Sequence, residues 1–206
     1  MIRLNFINGS GPDCGNIPSL VKEYKNLRPN EKVHYIHNGN TTDDQYEFRS
    51  ISNHLQQQGH VTIFEYGNIM KIRSNISDNF DSNAGPMIKK HTHDAISSHP
   101  NTRRQLRELC KLRGVGVSRA SMLLATIFPN DYSMVDLPRI RAFINWYIPQ
   151  VSSYSKYANL ITLFQTYDTI NGYIEYTEVI NQLSQSLGIP HREIGMALWA
   201  YDQLQI

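Results

Sequence analysis

The chain has few cysteines, no long apolar run and almost no excess of either charge. Its 206 residues include only two cysteines, Cys14 and Cys110, too few for a disulfide framework or for an iron–sulfur cluster with four cysteine ligands. The 20 lysines and arginines nearly balance 18 acids, for a net charge of +2, so the chain is not a polycation. No apolar run approaches the length of a membrane span, and the first residues, MIRLN, lack the apolar core of a signal peptide. We expect a soluble cytoplasmic monomer with no membrane partner.

Metal and cofactor signatures are also scarce. The chain has 8 histidines, of which His91 and His93 are the closest pair. An i, i+2 pair in a polar segment is poor spacing for zinc, so a surface role is the simpler interpretation. We expect no metal site and no cofactor.

Apolar periodicity and capping residues predict helices throughout, and therefore an all-α fold. Residues 1–40 are expected to form an N-terminal extension that packs on the core, with Leu4 and Phe6 in a short strand or extended arm, and 41–206 a helical domain. The predicted helices are Ser19–Leu27; one capped by Thr41 or Thr42 and closed by Gly59 after Gln58; Thr62–Arg73; Pro86–Ser97; one capped by Asn101 or Thr102 and running to Lys111; Arg119–Ile127; one from Asp136 to Pro149; Ser153–Tyr167; Tyr173–Leu187; and Pro190–Leu204.

A glycine turn, Gly114-Val115-Gly116, joins two of these helices into a predicted helix–hairpin–helix at 102–127. Glycine tolerates φ > 0 and lets another backbone approach closely, so we expect a position of this kind at Gly116. Ser118 suits the N-cap of the second helix, whose first N–H groups would bind an anion. The alternative is an αα-hairpin that packs only on itself.

Asp136 lies in the segment 128–148, directly before Leu137-Pro138. Because proline suits the first turn of a helix, Asp136 is expected near the N-cap, where N–H groups and the helix dipole hold a carboxylate ionised. A carboxylate held in this way can take part in catalysis. A plain capping aspartate is the alternative.

Positive charge is concentrated around these two features. Between positions 89 and 141 ten bases face four acids, and a local excess of this kind suits phosphate binding. The bases are Lys89, Lys90, Arg103, Arg104, Arg107, Lys111, Arg113, Arg119, Arg139 and Arg141. A solvated helix face is the alternative for any single one of them.

The segment from Thr62 to Asp136 resembles the helix–hairpin–helix DNA glycosylases. The family pattern is roughly L-P-G-V-G-x-K-T-A, an apolar helix, and then V-D-x-x-x-x-R. Leu112–Ala120, LRGVGVSRA, fits the first part, and Val135–Asp136 with the arginines that follow fits the second. Ser118 and Asp136 are 18 positions apart, which matches the family's interval between its lysine and its aspartate.

The resemblance implies a two-lobed helical fold with a cleft beside the hairpin, and a DNA glycosylase that acts on double-stranded DNA. Asp136 would be catalytic and would stabilise the positive charge that builds on the deoxyribose. The expected DNA-binding residues are Lys111, Arg113, Gly114, Val115, Gly116, Ser118 and Arg119. A flipped base needs a pocket; the candidate aromatic residues, each also typical of a packed core, are Tyr132, Phe143, Trp146 and Tyr147.

Ser118 replaces the lysine of the bifunctional family members, and Arg119 beside it is too basic to serve as an amine nucleophile. A monofunctional enzyme without lyase activity is therefore expected. Small prokaryotic and phage-related members suggest a modified pyrimidine of phage DNA, such as glucosylated hydroxymethylcytosine, removed in anti-phage defence. Two alternatives stay open: a non-catalytic DNA-binding module in which Asp136 only caps its helix, and a phage-type thymine-modification enzyme of the same fold, for which the chain shows no cofactor signature.

Overall fold

The computed structural model describes residues 16–27, 45–71, 83–142 and 166–204. Every regular element in these ranges is an α-helix, which confirms the predicted all-α class. The helices in chain order are α1 (Asn16–Leu27), α2 (Gln45–Gln58), α3 (Ile63–Lys71), α4 (Gly85–Ser97), α5 (Thr102–Leu109), α6 (Val117–Ile127), α7 (Leu137–Ala142), α8 (Ile170–Leu187) and α9 (His191–Leu204). None of these helices has the length and apolar character needed to cross a membrane.

The chain divides into two compact units. Unit 1 comprises Met1–Leu27 and Asn130–Ile206, and unit 2 comprises Arg28–Pro129. Helices α1, α7, α8 and α9 belong to unit 1, and helices α2 to α6 belong to unit 2. The predicted boundary between an extension and a helical domain at residue 40 lies outside the described ranges and stays a prediction.

Helix α9 forms the core of unit 1, where it packs against α1, α7 and α8. Ala197 and Leu198 are fully buried on it. Trp199 meets Tyr24 of α1 edge to face, with ring centroids 5.3 Å apart, a geometry that aromatic pairs favour. Burial of these side chains therefore ties the N-terminal helix to the C-terminal one.

Helix α6 forms the core of unit 2, and α2, α3 and α5 pack against it. Nine of its eleven residues are buried: Val117 and all eight from Ala120 to Ile127. The carbonyl of Ile127, at the C-terminal end of α6, accepts hydrogen bonds from the Ser52 hydroxyl at 2.6 Å and the Gln56 amide at 2.7 Å. These side chains of α2 satisfy a carbonyl that has no partner within its own helix.

Several predicted helix ends are confirmed by local hydrogen bonds. Thr62 and Glu65 form a capping box: the Glu65 N–H donates to the Thr62 hydroxyl at 3.3 Å, and the Thr62 N–H donates to the Glu65 carboxylate at 2.7 Å. Asn101 caps α5 by accepting from the Arg104 N–H at 3.0 Å. Gly59 has φ +70 and its N–H donates to the Leu55 carbonyl, so it ends α2 as predicted.

Other ends differ from the prediction. Helix α5 ends at Leu109 and not at Lys111, because the Lys111 and Leu112 N–H groups donate to carbonyls three residues back, Glu108 and Leu109, and so tighten the last turn. Helix α8 begins earlier than predicted, because Thr169 caps it by accepting from the Gly172 N–H.

Some expectations fall on parts of the chain that are not described. These are the arm with Leu4 and Phe6, the start of the second helix at 41–44, the end of the third at Arg73, the helix end at Pro149 and most of Ser153–Tyr167. Tyr167 itself is described and lies in a turn, outside any helix.

Candidate nucleic-acid interface and candidate catalytic carboxylate

The hairpin between α5 and α6 is a tight turn centred on Arg113 and Gly114. The Val115 N–H donates to the Leu112 carbonyl at 3.1 Å, and Gly114 has φ +75. Glycine is therefore needed at 114, where a side chain would be strained. Val115 is buried and its N–H is used within the turn, so this residue anchors the hairpin. Val115 was also predicted to contact DNA, but its N–H group already donates within the turn and would not be available to a phosphate.

Gly116 differs from the expectation that it sits at positive φ. Its φ is −87 and its ψ is −178, an extended conformation that any residue adopts. A Cβ built on Gly116 would meet nothing within 4 Å. The predicted strain on substitution at this position is therefore wrong, since the positive φ belongs to Gly114.

Helix α6 begins at Val117, and its N-cap is Gly116, without a side-chain cap. The prediction of Ser118 as the N-cap is wrong, because the Gly116 carbonyl already accepts from the Ala120 N–H at 2.9 Å. Ser118 lies in the first helical turn, where N–H groups point away from the helix toward any anion at its end. The helix end that was predicted to bind phosphate therefore begins two residues earlier than expected, and phosphate binding itself stays a prediction.

An asparagine holds the hairpin from outside. The Arg113 N–H donates to the Asn83 side-chain oxygen at 2.8 Å, and the Asn83 amide donates to the Arg113 carbonyl at 2.9 Å. A side-chain amide paired in this way mimics a neighbouring strand and fixes the orientation of the turn. Asn83 falls between the predicted helices Thr62–Arg73 and Pro86–Ser97, and the sequence alone indicated no role for it.

Most of the predicted basic residues are exposed on unit 2. Arg103, Arg104 and Arg107 lie within about 100° of one another around α5, and all three are exposed. The exposed bases of unit 2 between positions 89 and 113 are Lys89, Lys90, Arg103, Arg104, Arg107, Lys111 and Arg113. Unit 2 therefore combines a tight glycine turn with a basic helix face that leads into it.

Two of the predicted DNA-binding cations also have partners within the chain. The Arg119 guanidinium donates to the Gly114 carbonyl and so braces the turn. The Lys111 ammonium donates to both oxygens of Glu108 at 2.7 and 2.8 Å. The hydrogen bond from Lys111 is the main reason that the pKa of Glu108 lies below its usual value; burial opposes it, and His91 adds to the lowering.

Unit 2 also exposes large apolar side chains that sequence reasoning missed. Ile63 and Phe64, at the start of α3, are each 58% exposed. The Cβ of Ile63 lies 4.0 Å from the place of a Cβ on Gly85, two residues from the Asn83 that is bonded to the hairpin. The amphipathic pattern predicts the helix but not which side chains of its first turn stay exposed.

Asp136 is the N-cap of α7, which confirms the predicted position. One carboxylate oxygen accepts from the Arg139 N–H at 3.0 Å. The other accepts from the Arg139 guanidinium at 2.7 Å. Asp136 is 8% exposed and Arg139 only 1%, while the adjacent Leu137 is 49% exposed. The carboxylate is thus fixed in orientation at the edge of the surface, against a buried cation.

Residues of α8 position the segment that leads to Asp136. The Tyr173 hydroxyl donates to the Ser133 carbonyl at 2.9 Å, and the Tyr176 hydroxyl donates to the Met134 carbonyl at 3.3 Å. Full burial raises the pKa of Tyr173 well above its ordinary value of 10, so its hydroxyl stays a donor. Neither tyrosine was singled out from the sequence.

A glycine of α9 lets the same segment approach closely. A Cβ on Gly195 would overlap the Ser133 hydroxyl and come within 3.4 Å of the Arg139 Nε. That hydroxyl lies 3.3 Å from the Tyr176 hydroxyl. The absence of a side chain at Gly195 is therefore a condition for the placement of the Asp136 loop.

The predicted base pocket is only partly described. Tyr132 is 3% exposed, which favours the packing interpretation over stacking on a base. Phe143, Trp146 and Tyr147 lie outside the described ranges, and their role stays a prediction.

The two histidines expected at the surface differ from each other. His93 is exposed, with Nδ1 2.9 Å from the Gly59 carbonyl oxygen, as expected. His91 is buried, 5% exposed, so the surface interpretation is wrong for it; it lies on the face of α4 that packs against α5. Cys110 is half-buried, and burial raises the pKa of its thiol, which disfavours a reactive thiolate.

No family model, curated protein or solved structure matches the chain.

Proposed function

We propose that the chain is a monofunctional DNA glycosylase, which binds double-stranded DNA through the hairpin of unit 2 and breaks an N-glycosidic bond with Asp136 of unit 1. The observation that carries the proposal is the orientation of the Asp136 carboxylate, held by two hydrogen bonds from Arg139 at the edge of the surface. The two-lobed fold with a cleft beside the hairpin is part of this proposal. So are a cytoplasmic monomer and a modified pyrimidine of phage DNA as the substrate.

DNA binding is supported by the combination of a hairpin and exposed bases. The first turn of α6 offers N–H groups without a side-chain cap at Gly116, and the arginines of α5 add positive charge on an adjoining exposed face. Contacts of both kinds are made to phosphates and position the protein without reading sequence. The expected binding is therefore strongly dependent on salt.

Phe64 is the candidate for the apolar side chain that fills the gap left by a flipped base. It is 58% exposed at the start of α3, on the same unit as the hairpin. Proteins that kink a duplex insert side chains of this type between base steps. A solvent-exposed phenylalanine has no other evident role here.

The chemistry needs one well-placed carboxylate. The bond between C1′ and the base nitrogen breaks, its electron pair leaves with the base, and positive charge develops on the sugar. Asp136 stabilises this charge and takes the proton of the water that adds to C1′. The departing base anion takes up a proton from solvent and Asp136 releases its proton to solvent, which leaves a neutral free base, an abasic sugar and an ionised carboxylate. No amine nucleophile is required, in keeping with Ser118 at the position of the family lysine.

A non-catalytic DNA-binding protein is the second candidate, and the Asp136–Arg139 pair is the observation that favours it. The guanidinium at 2.7 Å offsets the charge that catalysis would use. An aspartate that caps its helix and neutralises a buried arginine already has a structural role. Its presence needs no further explanation.

Substitution of both partners distinguishes the two candidates. Asp136→Asn keeps an oxygen for capping, but leaves the buried arginine without its countercharge, at a cost of about 3 kcal/mol in stability. Arg139→Met restores a neutral core in the double variant, and the single Arg139→Met variant is the matched control that keeps the carboxylate.

If Asp136 is catalytic, base release under single-turnover conditions falls by about two to three orders of magnitude in both variants that lack the carboxylate. Arg139→Met alone retains release. If the chain is a non-catalytic DNA-binding protein in which Asp136 only caps its helix, neither the parent nor any variant releases a base, and the folded double variant binds the duplex as the parent does. Thermal denaturation of each variant reports the folded fraction.

A further inference from the structure

Helices α4 and α5 bring three metal-ligating side chains together in unit 2. His91 and Asp94 are three residues apart on α4 and so share a face, and Glu108 lies on α5, which packs against α4. One ligand atom from each residue lies within 4.8 Å of the others. Neither the hairpin nor Asp136 is part of this cluster.

The surroundings of the cluster favour a cation. His91 is buried, with Nδ1 3.3 Å from a Glu108 oxygen. Asp94 is partly buried, and within the described ranges its carboxylate has neither a hydrogen bond nor an ion pair. Among the described residues, the positive charge bonded to the cluster is the Lys111 ammonium on Glu108, at the end of a side chain that is 54% exposed. Glu108 therefore holds a displaceable cation, and the Asp94 carboxylate is bonded to none in the same ranges.

We propose that His91, Asp94 and Glu108 form a binding site for a divalent transition-metal ion of the zinc type, and that Lys111 holds Glu108 when no metal is bound. One imidazole and two carboxylates suit zinc or nickel, whereas calcium and magnesium prefer oxygen ligands alone. The site would link α4 to α5, the helix that leads into the hairpin. It does not depend on the proposed function.

The geometry requires only small side-chain movement. For three atoms that lie within 4.8 Å of one another, there is a point no more than about 2.8 Å from each. Zinc bonds to histidine nitrogen and carboxylate oxygen are about 2.0 to 2.2 Å, so no ligand atom has to move inward by more than about 0.7 Å. The imidazole must be neutral to bind, since ligands coordinate in their deprotonated forms.

Competition with Lys111 gives the proposal its sharpest test. The full chain, without an affinity tag and treated with a chelator, is titrated with zinc in the presence of a chromophoric competitor. One zinc per chain is expected. Lys111→Met removes the competing ammonium and should tighten binding by at least about tenfold, and Asp94→Asn and Glu108→Gln should each weaken it by at least about tenfold.

The controls are close neighbours. Arg107→Met removes an exposed cation from the same helix, and His93→Ala removes an exposed histidine from α4; both should leave zinc affinity unchanged. If neither the parent nor the Lys111→Met variant binds zinc at free concentrations up to about 0.1 mM, the proposal is overturned. The proposal would also be overturned if His93→Ala abolished zinc binding while Asp94→Asn did not.

Discussion

Substitution of Gly116 with glutamate separates DNA binding from folding. The extended backbone at Gly116 accepts any residue, and a Cβ there meets nothing within 4 Å. A carboxylate at the N-terminal end of α6 interacts favourably with the helix dipole, by about 0.3 to 1 kcal/mol. The free energy of unfolding should therefore stay level or rise slightly, which thermal denaturation and circular dichroism can measure.

The same carboxylate should block a bound phosphate. The carboxylate is negatively charged, as a phosphate is, and it would occupy the position of the phosphate at the first turn of α6. A hydrogen bond to a charged group contributes about 1.5 to 3 kcal/mol, so the loss of one such contact corresponds to about 10- to 100-fold weaker binding. Because phosphate contacts carry no sequence information, modified and unmodified duplexes should be affected equally.

Fluorescence anisotropy at two salt concentrations measures this effect. Gly116→Ala adds size without charge and should bind nearly as the parent does. Gln185→Glu, on the exposed face of α8 in unit 1, makes the same change in net charge outside the unit that carries the hairpin. A folded Gly116→Glu variant that binds both duplexes as tightly as the parent would refute the reasoning and leave the hairpin as a connection between helices.

Three further results are expected. Gly195→Ala should displace the Ser133 hydroxyl and lower the free energy of unfolding by about 1 to 3 kcal/mol. Because Ser133 belongs to the segment that leads to Asp136, base release should fall more than duplex affinity. Unchanged release in a folded variant would contradict a role of Gly195 in placing Asp136. Phe64→Ala should slow base release while leaving stability unchanged, and Leu204→Ala, at a residue 53% exposed against 58% for Phe64, serves as the control. Borohydride should trap no protein–DNA adduct, because Ser118 offers no amine; efficient trapping would show that another amine is the nucleophile.

The features that the sequence predicted correctly depend on short-range hydrogen bonds. Thr62, Asn101 and Asp136 each cap a helix by accepting from an N–H three residues ahead, so residue type and spacing are sufficient. The N-cap of α6 was placed on Ser118 by the same rule. It was wrong because a glycine in extended conformation starts the helix without any side-chain bond.

The contacts that position the candidate site could not be predicted in this way. Asn83 bonds to Arg113, thirty positions ahead, and Tyr173 bonds to Ser133, forty positions back. Such pairs depend on how helices pack, which neither periodicity nor capping determines. The burial of Arg139 against Asp136 has the same origin: the sequence offered it as one surface base among ten, and packing against α9 removed it from solvent.

The most direct measurement is a base-release assay on a panel of duplexes that carry modified pyrimidines, including glucosylated hydroxymethylcytosine. Each product is treated with alkali, which cuts strands at abasic sites. The account predicts that the parent leaves an intact strand, cut only after alkali, for at least one modified base, and that Asp136→Asn lowers this release by at least about a hundredfold while it still binds the duplex. Equal release by a folded Asp136→Asn variant, or no release from any duplex that the parent binds, would contradict it.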